Sequence, residues 1–85
     1  KEARKMWRKR IKDQWDNQCA YCGSIENLTI DHVVPKSKGG TNYTKNVVCS
    51  CLSCNGSKAN TEWQEWYLNQ EFFQEVNKRK IQDWR

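Results

Sequence analysis

A single histidine, His32, occurs in the 85 residues, so any step that needs an imidazole near neutral pH has one possible owner. Proline is as scarce: Pro35 stands alone, three residues after that histidine, where it breaks regular structure. Long apolar runs are missing, as is any stretch built like a signal peptide, which predicts a protein that neither spans a membrane nor is secreted. Only 36% of the residues are hydrophobic, so the apolar core is expected to be small, a deficit that a bound structural metal would offset. The cysteine count, five, is odd and excludes complete pairing into disulfides. It favours reduced thiols in a reducing interior over the competing arrangement of two disulfides and a spare thiol. The chain opens at Lys1 with no initiator methionine, as expected of an excised domain or of a trimmed chain.

Acidic residues are absent from His32 to Asn60, a span that holds Lys36, Lys38, Lys45 and Lys58. The start is also basic: Lys1, Arg4, Lys5, Arg8, Lys9, Arg10 and Lys12 are set against Glu2. Beyond Asn60 the balance is restored by Glu62, Glu65, Glu71, Glu75 and Asp83. A net charge of +5 and a pI near 9.1 thus arise from the first two-thirds, which predicts a polyanionic partner there. A merely solvated basic helix face is the competing account of the first cluster.

Two Cys-x-x-Cys pairs, Cys19/Cys22 and Cys51/Cys54, bracket Asp31-His32-Val33-Val34-Pro35, and Asn55 follows the last cysteine. Four thiolates in two close pairs suit a closed tetrahedral Zn²⁺ site, which would draw the Asp-His dipeptide and Asn55 together. Cys49, two residues before Cys51, competes for the same ion, but the matched spacing of the outer pairs favours Cys51 and Cys54 and leaves Cys49 as a small buried hydrophobe.

Periodicity places these motifs. Ala3, Trp7, Ile11 and Trp15 form an apolar stripe on a helix over about residues 2–14 with basic outer faces. Asp16 to Gly23 reads as a metal knuckle, with Gly23 in a left-handed conformation. Leu28-Thr29-Ile30 alternates like a strand, Lys36 to Gly40 reads as a flexible basic loop, and Asn46-Val47-Val48-Cys49 suits a second, antiparallel strand. Leu52 to Lys58 is expected to be helical. Thr61-x-x-Gln64 has the form of a capping box opening a helix with Trp63, Trp66 and Tyr67 that pauses near Asn69. A last helix carries Phe72, Phe73, Val76, Ile81 and Trp84; these aromatic stripes read as core rather than as a base-stacking platform. The whole is expected to be one α+β domain over 1–85: a core at 19–58, the basic helix before it, and a helical extension over about 61–84.

Asp31 and Asn55 offer two hard oxygen ligands, suited to Mg²⁺ or Mn²⁺ retaining water. His32, if on a strand beside Asp31, faces the other way and is free to take a proton from water. The pairing of a base with a Lewis acid points to metal-assisted hydrolysis of phosphodiesters. A zinc-binding or purely structural histidine is the alternative on spacing alone.

The fragments Cys19-x-x-Cys22, Ile30-Asp31-His32-x-x-Pro35-x-Ser37-x-Gly39-Gly40 and Asn46-x-x-x-x-Cys51-x-x-Cys54-Asn55-x-x-Lys58, in this order, resemble the HNH endonucleases of the ββα-metal fold, in the subgroup held by four cysteines. The resemblance covers about Cys19 to Lys58 and has Asn55 at the third lettered position. It implies that His32 is the general base, that Asp31 and Asn55 hold the catalytic divalent ion, that Asn46 braces the loop orienting His32, and that Lys58 contacts phosphate or stabilises the transition state. A solvated helix lysine is the competing account of Lys58. The implied partner is DNA, double-stranded, met by Arg4, Lys5, Arg8, Lys9, Lys12, Lys36, Lys38, Lys45 and Lys58; the implied setting is the cytoplasm of a bacterial or phage-infected cell. A zinc module that binds nucleic acid without cutting it would share the cysteines and the basic helix, and is separated from the nuclease only by Asp31, His32 and Asn55.

Overall fold

The computed structural model describes residues 2–85. Helix α1 (Glu2–Gln14) is rich in lysine and arginine, both good helix formers, and it ends where Asp16 and Asn17 take positive φ values of 57° and 55°. The amide of Asn17 bonds back to the carbonyl of Lys12 at 2.8 Å and closes the helix end. Of the expected stripe, Ile11 and Trp15 are buried and Trp7 is half-buried, whereas Ala3 is exposed. The apolar face therefore anchors only the carboxy-terminal part of α1 to the sheet.

Strands β1 (Leu28–His32) and β2 (Val47–Cys51) pair antiparallel in the register Leu28↔Cys51, Ile30↔Cys49 and His32↔Val47. Both differ from the sequence expectation at their ends: β1 runs on through Asp31 and His32, and β2 starts after Asn46 and continues to Cys51. A five-residue ladder requires this, since Leu28 finds its partner only at Cys51. Every residue of β2 is buried, so it is the central layer between α1 and the helices that follow. The connection between the strands holds two short 3₁₀ turns, Lys36–Lys38 and Thr44–Asn46. Gly40 is required there because a Cβ at this position would collide with the backbone carbonyl of Val34.

Helix α2 (Leu52–Lys58) follows β2 without a loop and is capped by the Cys51 sulfur, which accepts from the amide of Cys54. Helices α3 (Trp63–Leu68) and α4 (Glu75–Trp84) complete the chain. The cap of α3 is Glu62 rather than Thr61: its carboxylate accepts from the amides of Gln64 and Glu65 at 3.1 and 2.9 Å, and a negative charge suits a helix start. Phe72 and Phe73 precede α4, and Val76, expected in the core, is exposed; Ile81 carries the burial of this helix.

The aromatic residues interlock as core. Tyr21 meets Trp66 and Tyr67 edge-on at 5.0 and 5.4 Å, Tyr67 meets Phe73 at 4.9 Å, and Trp15 meets Trp84 at 5.7 Å. Pairs of this kind add about 0.5–1.5 kcal/mol beyond burial of their area. The Tyr67 hydroxyl also donates to the Tyr21 carbonyl at 2.7 Å, which fastens α3 to the first cysteine knuckle. Among the described residues no helix is long and apolar enough to cross a membrane.

Candidate metal centre and active site

The knuckle after α1 and the junction of β2 with α2 bring Cys19, Cys22, Cys51 and Cys54 together, with all four sulfurs within 4.8 Å of one another. Cys22 Sγ and Cys51 Sγ are 3.7 Å apart. A tetrahedral ion with metal–sulfur bonds of about 2.3 Å needs sulfur–sulfur edges of about 3.8 Å, so the cluster has the dimensions of a zinc–thiolate site. The amides of Tyr21 and Cys54 each point at a sulfur, at 3.4 Å, as donors to a thiolate would. Gly23, at φ 83°, lets the knuckle turn back so that its amide reaches the Cys19 carbonyl. A hydrogen bond from the Cys54 thiol holds Cys19 down to about 4, and the same contact, with burial, drives Cys54 up. Cys49 is not in the cluster; it is fully buried, and burial raises its thiol to about 11.

Asp31 and His32 are consecutive on β1 and face opposite ways. Asp31 is 4% exposed; its Oδ2 accepts from the Tyr21 hydroxyl at 2.8 Å and its Oδ1 lies 3.4 Å from the Lys58 ammonium. Burial raises its pKa, and the Lys58 charge and the Tyr21 bond only partly offset this. Tyr21 itself is pushed well above its ordinary value by burial and then by the Asp31 charge, so it stays protonated and donates. Lys58 is 0% exposed and also donates to the His32 carbonyl at 3.0 Å. It is therefore neither a solvated helix lysine nor a surface contact for phosphate in this structure, because its length takes it back under β1 to the one buried carboxylate.

Asn55 reaches β1 from α2: its Nδ2 donates to Thr29 Oγ1 at 2.9 Å and approaches the Ile30 carbonyl at 3.5 Å. Thr29 and Asp31 share a face of the strand about 7 Å apart, so the amide and the carboxylate approach β1 from the same side. Asn46 ties the two ends of the intervening loop. Its side chain accepts from the Val34 amide at 3.0 Å and donates to the carbonyls of Val34 and Thr41 at 3.1 and 2.8 Å.

On the other face of β1 a groove of about 870 Å³ separates the strand from α1. Arg4, Arg8 and Lys12 line it from the helix, four residues apart and so about 6 Å apart along the axis; His32, Lys36 and Asn42 line it from the strand and loop. The predicted basic set is thereby divided. Lys5, Lys9, Lys38 and Lys45 are exposed but lie outside the groove, Lys9 in a surface pair with Asp13 at 3.0 Å, and Lys58 is internal. The His32 Nε2 lies 2.8 Å from Asn42 Oδ1. Two residues that matter to this geometry escaped the sequence reading: Tyr21, whose place inside the first cysteine pair was a usable signal, and Asn42, which sits in a loop with no pattern of its own.

Two antiparallel strands and a helix, clipped by four thiols and carrying an Asp-His pair on the first strand, define a small ββα-metal module. The chain belongs to the HNH endonuclease family, whose model matches residues 19–65. It is 41% identical over 68 residues, 75% of its length, to the CRISPR-associated endonuclease Cas9 of Corynebacterium diphtheriae, of which it covers 6%. It is 35% identical over 94 aligned positions, 93% of its length, to the SPbeta prophage protein YoqL of Bacillus subtilis, itself named as an HNH endonuclease, of which it covers 39%. The chain thus spans well under half of the curated relatives it matches. In fold it superposes on the Type II-C Cas9 enzyme from Actinomyces naeslundii with a TM-score of 0.67 at 22% identity, covering 92% of this chain and 10% of that one.

Proposed function

We propose that this chain is the cutting module of a metal-dependent DNA endonuclease that hydrolyses phosphodiester bonds. The observation that carries this is the placement of the only histidine at the edge of the groove lined by Arg4, Arg8, Lys12 and Lys36. In this proposal the guanidinium and ammonium groups bind phosphates and hold the backbone along α1, while His32 takes the proton from a water molecule. Attack of the water oxygen on phosphorus, with loss of the 3′ oxygen, leaves a 5′-phosphate and a 3′-hydroxyl. Asp31 and Asn55, a carboxylate and an amide oxygen, suit a hard divalent ion such as Mg²⁺ or Mn²⁺, which when bound would neutralise charge on the phosphate and the departing oxygen. Zn²⁺ in the four-thiolate site supplies fold rather than chemistry, since four protein ligands leave it no open position. Thiols used as metal ligands would suit a reducing interior, and duplex DNA is the substrate the family resemblance implies.

A second reading has an observation in its favour: both oxygens of Asp31 already have partners, Tyr21 and Lys58, so a divalent ion must share or displace the ammonium. If it does not, the chain is a zinc module that binds nucleic acid without cutting it. Supercoiled plasmid incubated with Mg²⁺ or Mn²⁺ separates the two. Nicking by the parent and its loss in folded His32→Ala supports the nuclease; binding without nicking across metals and DNA forms supports the passive module.

A further inference from the structure

The ring of His32 donates its hydrogen bond to a residue outside every motif of the sequence. Its Nε2 is 2.8 Å from Oδ1 of Asn42. An amide oxygen has no hydrogen to give, so this contact is a bond only when Nε2 carries the proton; in the neutral ring the lone pair then sits on Nδ1. We propose that Asn42 is a positioning residue for His32, selecting the Nε2–H tautomer and leaving Nδ1 as the nitrogen that accepts the proton. This rests on His32 acting as general base and adds which nitrogen acts and what fixes it.

For an exposed asparagine to do this, its own place must be held. The Thr41 carbonyl before it accepts from Asn46 Nδ2 at 2.8 Å, and the Tyr43 carbonyl after it accepts from the Asn46 amide at 2.8 Å. One residue further, Thr44 Oγ1 accepts from the Trp7 indole of α1 and the Thr44 carbonyl from the Trp84 indole of α4, both at 3.2 Å. The backbone is thus pinned on both sides of Asn42, partly by helices outside the matched stretch 19–65. At the other end of the contact, the His32 carbonyl is held by Lys58 Nζ at 3.0 Å. Both partners come from fixed backbone, which lets a single side-chain bond set the ring's orientation and proton placement.

Because His32 is the sole histidine, its ring nitrogens give unambiguous signals in a two-bond ¹H–¹⁵N spectrum of the full, zinc-loaded chain labelled at histidine and kept where the ring is neutral. The parent is expected to show a protonated Nε2 and a bare Nδ1, Asn42→Ala a mixed pattern, and Asn42→Asp, which keeps an acceptor oxygen, the parent pattern. In plasmid nicking with Mg²⁺, Asn42→Ala is expected to lose about tenfold in kcat with KM and melting temperature held, and Asn42→Asp to recover most of it. A protonated Nδ1 in the parent, or an Asn42→Ala spectrum identical to the parent's, overturns the proposal. Undiminished nicking by His32→Ala would instead overturn the general-base reading, while the spectra still decide whether Asn42 sets the tautomer.

Discussion

Lys58 Nζ lies 3.4 Å from Asp31 Oδ1, and both side chains are buried. The pair joins the last turn of α2 to the strand that carries His32, so the charge of the Asp31 carboxylate is balanced from within the protein. Removing one partner strands the other. Lys58→Met is therefore expected to cost about 3–5 kcal/mol in denaturant unfolding, and the double variant Asp31→Asn/Lys58→Met to recover part of that loss. Equal stability of Lys58→Met and the parent would show that the pair contributes nothing net.

The same pair decides how Asp31 should be tested. Asp31→Ala leaves a buried ammonium unpaired and confuses folding with catalysis, whereas Asp31→Asn retains the shape and a partner for Tyr21. Asp31→Asn and His32→Ala are expected to abolish plasmid nicking with folded circular dichroism spectra, and Asp31→Asn alone to weaken Mn²⁺ binding read by calorimetry. Full activity in either folded variant contradicts the role assigned to it.

For the thiolate cluster, Cys51→Ala opens the tetrahedron and removes the cap of α2. Since metal binding at such sites supplies folding free energy on the order of 10 kcal/mol, this variant and the chelator-treated parent are both expected to lose the cooperative melt. Cys49→Val is expected to keep one zinc per chain by elemental analysis, and in the native parent Cys49 is expected to resist iodoacetamide because it is buried and its thiol is pushed up to about 11. Loss of zinc from a folded Cys49→Val protein would move Cys49 into the ligand set.

Along the groove, Arg4→Gln, Arg8→Gln and Lys12→Gln are each expected to weaken DNA binding without regard to sequence and to lower the slope of log K against log salt by about one. Lys5→Gln and Lys9→Gln, outside the groove, are expected to change it less, by fluorescence anisotropy at several salt concentrations. An equal effect from all five would mean that α1 acts as a diffuse cation rather than as one wall of the site.

What the sequence by itself determined is local: the range of α1 from its periodicity, the span Leu52–Lys58, the strand-strand-helix order, and the four cysteines that meet. Each depends on residues near one another in the chain or on a spacing that metal geometry restricts to few solutions. Only the tertiary structure decided which surface each side chain serves. Lys58 looks like any helix lysine until α2 is laid against β1 and its ammonium meets a carboxylate 27 residues away. Which cations of α1 face His32 depends on the rotation of the helix, and that is set by Ile11 and Trp15 entering the core. Asn42 becomes a partner of His32 only because Asn46, Trp7 and Trp84 hold the loop on either side of it. Hydrogen bonds and ion pairs of this kind join segments distant in sequence, and their formation follows from packing rather than from any local pattern.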